Sequence, residues 1–109
     1  MELAKRQCIP CRSDTPRLAG EPLAALQAEL GRGWQLDGDR LRKTYRFPDF
    51  VGALAFVNRI GAIAEAEQHH PDIHLAWGRV ALEIWTHAIG GLSENDFVLA
   101  AKIEAALVG

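Results

Sequence analysis

The stretch Glu65 to His87, EAEQHHPDIHLAWGRVALEIWTH, holds two alternating apolar runs, Ile73 to Trp77 and Val80 to Thr86, separated by Gly78-Arg79. Alternation with period two marks a half-buried strand, and a glycine at the first central position of a two-residue loop suits a type II′ hairpin. That reading predicts Trp77 opposite Val80, Leu75 opposite Leu82, Ile73 opposite Ile84 and His74 opposite Glu83. Continued outward, the ladder sets His70 opposite His87, and directly opposed residues have Cβ atoms about 5 Å apart. Pro71 cannot donate to a ladder, which suits the first residue of a strand, and it keeps His70 out of helical geometry. The pair His69-His70 is therefore expected on a sharp helix-to-strand corner.

Phe50 to Gln68 reads as a helix with Phe50, Ala53, Leu54, Phe56, Val57, Ile60, Gly61, Ile63 and Ala64 over roughly half its circumference. This is wider than the stripe of about 100° that a surface helix needs to cover one core, so part of it is expected to pack against another subunit. Its end delivers Glu65 one turn before His69. Trp34 to Phe47 reads as a first hairpin about Gly38-Asp39, with Leu36 opposite Leu41 and Asp37 opposite Arg40. Leu41, Tyr45 and Phe47 then share one face, and Arg40, Arg42, Thr44 and Arg46 the other. A helix from Pro22 to Leu30 stops at Gly31. The last helix begins at Ser93 and turns Leu99, Ala100, Ile103 and Leu107 to the sheet. The order α-β-β-α-β-β-α predicts an α+β two-layer fold, a four-stranded antiparallel sheet with three helices. Residues 1–20, with Pro10, Pro16 and Gly20 and no periodicity, read as a loosely ordered leader to a domain at 21–109.

At 109 residues, 49% of them apolar, the chain can bury one core and has no room for a second. A net charge of −2 and a pI near 6.0 supply no basic field, which argues against nucleic acid or an anionic membrane as partner. Apolar stretches such as Val51 to Val57 fall far short of the roughly 20 residues of a membrane span, and the opening residues, Met1 to Arg6, lack an apolar signal core. The expectation is a soluble, cytoplasmic protein with a small-molecule partner. Cys8 and Cys11 form a CxxC that could be a redox pair or half of a zinc site, but there is no second CxxC, and the motif sits in the Pro-rich leader.

Chemistry concentrates in Glu65, His69, His70, Trp77, His87 and Asp96: three imidazoles, two carboxylates and an aromatic ring within about thirty residues. Such a cluster can hold neutral and charged imidazoles together near pH 7, which general acid and general base require. His69, His70 and His87 also have the ligand types of a metal site. Asp96 lies three residues after Ser93, in the reciprocal capping position, so a helix cap explains it; the same helix terminus could also offer N–H groups or a carboxylate to a ligand rim. His74 stands outside the cluster and reads as an ordinary strand residue.

The pattern Glu65-x3-His69-His70-Pro71-x5-Trp77-x9-His87-x8-Asp96, with the order of elements from about Glu21 to Leu107, resembles the pterin-4a-carbinolamine dehydratases, a family that also contains the dimerisation cofactor of a homeodomain transcription factor. The resemblance implies the same fold and loss of water from a 4a-hydroxytetrahydropterin to give the quinonoid dihydropterin, in pterin recycling. It implies no metal and no organic cofactor, and a homo-oligomer, a dimer or a tetramer of two dimers. By resemblance, His69 and His87 match positions near the 4a-hydroxyl and His70 a position that holds the ring. Glu65 would orient His69 or bind the pterin, and Trp77 would be a ring platform or core. Gln68 stands where animal members carry aspartate and Asn95 where they carry arginine, which puts a charged contact at the mouth of the site in doubt. The alternative within the same fold is a pterin-binding or protein-binding module, coactivator-like or molybdopterin-related, without this turnover.

Overall fold

The computed structural model describes residues 2–9 and 16–108. A short helix α1 (Glu2–Lys5) and helix α2 (Gly20–Leu30) precede strands β1 (Gln35–Asp37) and β2 (Arg40–Arg46). Helix α3 (Phe50–Glu67), strands β3 (Asp72–Ala76) and β4 (Arg79–Ile84), a 3-10 turn over His87–Ile89 and helix α4 (Glu94–Val108) complete the chain. The four strands form one antiparallel sheet in the order β1-β2-β4-β3. This is the expected α+β fold, with α1 and the 3-10 turn added.

Strand alternation separates the two faces of the sheet. Leu41 and Tyr45 from β2, and Val80, Leu82 and Ile84 from β4, are buried under the helices together with Phe56 and Ile60 of α3 and Phe97, Leu99 and Ile103 of α4. Tyr45 and Phe56 meet with ring centroids 4.7 Å apart, and Phe47 lies 5.3 Å from Phe56. The Glu104 carboxylate of α4 accepts from Tyr45 Oη at 2.6 Å and Trp34 Nε1 at 2.9 Å and pairs with Lys43, tying α4 to β2. On the uncovered face, Glu83 pairs with Arg40 at 3.2 Å and Arg42 at 2.7 Å. These guanidinium groups hold its carboxyl below the usual range, Arg42 first among them.

The first hairpin has the expected register, Leu36 opposite Leu41 and Asp37 opposite Arg40. The second does not. Ala76 pairs with Arg79, Leu75 with Val80, His74 with Ala81, Ile73 with Leu82 and Asp72 with Glu83, so the loop is Trp77-Gly78 rather than Gly78-Arg79. The partner of each β3 residue moves by two, which keeps every side chain on its expected face but removes the facing of His70 and His87. The cause is long-range. Phe47 N donates to Gly78 O at 2.9 Å, and a Cβ on Gly78 would sit 2.7 Å from Phe47 O, so Gly78 is used for close approach to the end of β2.

The wide apolar face of α3 divides in two. Ala53, Phe56, Ile60 and Ala64 are buried in the core, whereas Phe50, Val51 and Leu54 remain exposed. The described part of the segment read as a loose leader is held down: Leu3 is fully buried, Lys102 Nζ donates to Ala4 O at 2.8 Å, and Leu18 N donates to Leu92 O at 2.8 Å. One apolar side chain and backbone groups make these contacts, and composition and periodicity register neither.

Candidate active site

Helix α3 ends where Gln68 adopts the left-handed conformation, φ 54° and ψ 39°, with its backbone N–H donating to Ala64 O and its side-chain amide to Glu65 O at 2.7 Å. His69 follows with its own N–H on Ala64 O at 3.2 Å. This reversal, closed by Pro71, sends the two adjacent imidazoles to different surroundings.

His69 turns inward and is nearly buried, with 12% of its side chain exposed, and its Nε2 meets Asp96 Oδ1 at 2.6 Å. Asp96 is wholly inaccessible, and its other oxygen accepts from Thr86 Oγ1 at 2.8 Å and Ser93 N at 2.8 Å. Thr86 Oγ1 and Ser93 Oγ lie 2.7 Å apart, which closes a buried polar network at the start of α4. A buried carboxylate with three partners meets the requirement that a charge leaving water be hydrogen-bonded. An ionised carboxylate only accepts, so the proton between it and His69 belongs to Nε2, and the Nδ1 of a neutral His69 keeps its lone pair. His70 turns outward and its Nε2 pairs with Glu65, at side-chain exposures of 53% and 73%. Glu65 thus serves His70, and the carboxylate that orients His69 is Asp96.

His87 begins the 3-10 turn after β4 and is exposed. The turn is closed by Thr86 N donating to Gly91 O at 2.8 Å and held from outside by Arg17 Nε on Ile89 O at 2.6 Å. The His87 ring makes no hydrogen bond to the described residues; its contact is with Trp85, centroid to centroid 4.4 Å. Gln68, His69, His70, Trp85, Thr86, His87 and Ala88 line one open pocket of about 210 Å³. The three histidines therefore meet at one pocket, not by facing across the ladder but through a turn that carries His87 back to the corner after the ladder has ended.

Two other expected residues stand elsewhere. Trp77 occupies the β3–β4 loop, 67% exposed, and does not line this pocket. Asp96 reaches the pocket only through His69. Asn95 is buried and holds the N-terminal segment, its Oδ1 accepting from Ile9 N at 3.0 Å and its Nδ2 donating to Ile9 O. That latch uses the side chain in the position where a charged contact at the mouth was in question. Thr86 and Trp85 were missed in the sequence. Continuing the alternation of Val80, Leu82 and Ile84 to Thr86 points its hydroxyl into the core, where it requires a partner, and that is the signal that could have found it.

His74 lies on the uncovered sheet face in a hollow with Arg42, Thr44 and Glu83. Cys8 packs on the opposite side, its N–H on Glu67 Oε1 at 2.9 Å and its thiol on Asn95 O at 3.6 Å. Burial, and next the Glu67 carboxylate, pushes this thiol up to about 12. Cys11 lies outside the described residues. Among the described residues no three His, Cys, Asp or Glu side chains are grouped to hold a metal ion, and no helix is long and apolar enough to cross a membrane.

Residues 16–106 match the family model described as pterin 4 alpha carbinolamine dehydratase. A relative from Rickettsia canadensis (strain McKiel), provisionally named a pterin-4-alpha-carbinolamine dehydratase, is 51% identical over 94% of this chain and 95% of its own length. Another with the same provisional name, from Rubrobacter xylanophilus, is 48% identical over 94% and 96%. The crystal structure of a transcriptional coactivator/pterin dehydratase from Brucella melitensis superposes with a TM-score of 0.76 at 32% identity, over 83% of this chain and 97% of that one. A pterin dehydratase-like protein identified as a RuBisCO assembly factor in the alpha-carboxysome shares the fold at 23% identity, with a TM-score of 0.60 over 70% and 90%. With a match across nearly the whole chain and with relatives this similar, the chain belongs to the pterin 4 alpha carbinolamine dehydratase family.

Proposed function

We propose that the pocket at the helix-to-strand corner removes water from a 4a-hydroxytetrahydropterin to give the quinonoid dihydropterin. The observation that carries this reading is the convergence of His69, His70 and His87 on one open pocket, with His69 fixed by its Nε2 to a buried carboxylate. The reaction needs one proton delivered to the departing hydroxyl, which leaves as water, and one proton taken from a ring nitrogen as the C4a–N double bond forms. His69 takes the ring proton at Nδ1, because Asp96 keeps Nε2–H in place and stabilises the imidazolium that results. His87, whose ring nitrogens are not engaged by the described residues, delivers the other proton as an imidazolium, and water resets the pair. His70, paired with Glu65, holds the pterin. His70→Ala should therefore raise KM more than it lowers kcat. No metal or organic cofactor is required by this scheme.

The exposed Phe50, Val51 and Leu54 on α3 support assembly through that helix into a dimer or tetramer. The test of function is direct: purified protein, with nothing added, should accelerate dehydration of chemically generated 4a-hydroxytetrahydropterin above its spontaneous rate. A rate equal to the spontaneous one overturns the proposal and leaves a pterin-binding or protein-binding module of the same fold.

A further inference from the structure

His69 and His70 are each oriented by a carboxylate, but His87 makes no hydrogen bond or ion pair with the described residues, and proton transfer depends on holding the ring at a set distance and angle. What touches the His87 ring is the indole of Trp85, at 4.4 Å between centroids and an interplanar angle of 49°. Trp85 is itself held. The Arg40 guanidinium lies over its ring at 4.0 Å, and Arg40 is anchored in turn by Glu83 at 3.2 Å. Strand alternation explains the arrangement: Trp85 follows Ile84 of the core and so shares the uncovered face with Glu83, one residue pair beyond the end of the β2–β4 ladder, where Leu41 faces Ile84.

We propose that Trp85, clamped by Arg40, is the positioning residue for His87, doing by ring contact what Asp96 does for His69 by hydrogen bond. A cation over an indole face is attracted by the ring quadrupole, so Arg40 restricts the indole, and the indole restricts the imidazole. This chain of contacts runs from the Arg40–Glu83 pair on the open sheet face into the pocket, of which Trp85 is itself a wall. It assigns an aromatic role in the site to Trp85; Trp77, exposed in the β3–β4 loop, does not line this pocket.

The inference rests on the dehydratase reading, so its test has one arm that needs turnover and one that does not. In the first, Trp85→Leu should lower kcat about tenfold with KM little changed, since misplacing a reacting group by an ångström costs up to about 10²-fold. Trp85→Phe, which keeps a ring beside His87, should recover most of that loss. In a His87→Ala background, Trp85→Leu should cost little more, because the two act as one unit. Arg40→Met, which frees the indole without emptying its place, should lower kcat in the same direction by less. In the second arm, the ring-proton resonances of His87 in the substrate-free protein should be displaced by the indole ring current and return toward ordinary values in Trp85→Leu. Unchanged kcat in folded Trp85→Leu, losses that multiply in the double variant, or His87 resonances indifferent to Trp85 would each overturn the proposal. An inactive wild type would instead remove the dehydratase reading, while the resonances still decide whether Trp85 holds His87.

Discussion

Two imidazole–carboxylate pairs stand side by side at the end of α3, and they differ in everything but chemistry. His69–Asp96 is enclosed, with the carboxylate inaccessible and also bound by Thr86 and Ser93, whereas His70–Glu65 is open to solvent on both sides. Removing one member of a buried pair leaves an uncompensated charge and costs about 3–5 kcal/mol, while an exposed pair contributes about 0–1 kcal/mol. One pair can therefore fix a tautomer and a ring orientation, and the other can only bias one. Adjacency in sequence says little about role: the left-handed Gln68 between helix and corner sends one histidine to machinery and its neighbour to the rim.

The largest effect should come from removing both proton carriers. His69→Ala and His87→Ala are each expected to lose about 10²-fold in kcat, as for removal of a general acid or base, and the folded double variant nearly all acceleration. A double variant with near-wild-type turnover would show that neither ring carries a proton in the reaction.

A second contrast lies along α3, where Phe56 is in the core and Leu54 is exposed. Phe56→Glu places a charge among Tyr45, Phe47 and Ile60 and should prevent folding, as read by loss of the cooperative melt. It therefore cannot report on assembly, the use that its place on the apolar face of α3 suggests from sequence alone. Leu54→Glu should keep the melt and lower the mass measured by light scattering if α3 joins subunits.

Cys8 provides a smaller, pH-dependent effect. Its thiol titrates at about 12 in the fold against an ordinary value of 9.0, so the folded chain holds that proton more tightly than the unfolded one. The associated stability is fully present below pH 9 and is lost as pH rises toward 12. In a Cys11→Ser background, alkylation of Cys8 at pH 8 should be slow in the folded protein and fast in denaturant; equal rates would show that the N-terminal segment does not pack as described.

Much of the fold was legible because local chemistry agreed with tertiary structure. Gly38-Asp39 set the first hairpin, and alternation set both sheet faces. The second hairpin was displaced because the constraint on Gly78 is the carbonyl of Phe47, thirty-one residues earlier, which no local pattern contains. In the site, the three histidines were legible from spacing and from the resemblance, but the partners were not. Spacing offers Glu65 to His69 or to the pterin, and its carboxylate pairs with His70 because helical spacing ignores the turn at Gln68; Trp77, a ring platform or core residue by resemblance, stands exposed in the β3–β4 loop, and the ring on the pocket wall is Trp85. A cap explains Asp96 in the sequence, and the cap is there, its carboxylate accepting from Ser93 N, but the same group also holds His69.

The division of roles between the two imidazole–carboxylate pairs is tested by the turnover of Asp96→Asn beside that of Glu65→Gln in one assay, with both variants first shown to be folded. The asparagine amide would donate to His69 Nε2, force the proton onto Nδ1 and abolish the base, whereas the exposed glutamine leaves His69 untouched. Asp96→Asn is predicted to lose about 10²-fold or more in kcat and Glu65→Gln only a few-fold, mostly in KM. Equal losses in the two variants, or full activity in Asp96→Asn, would contradict it.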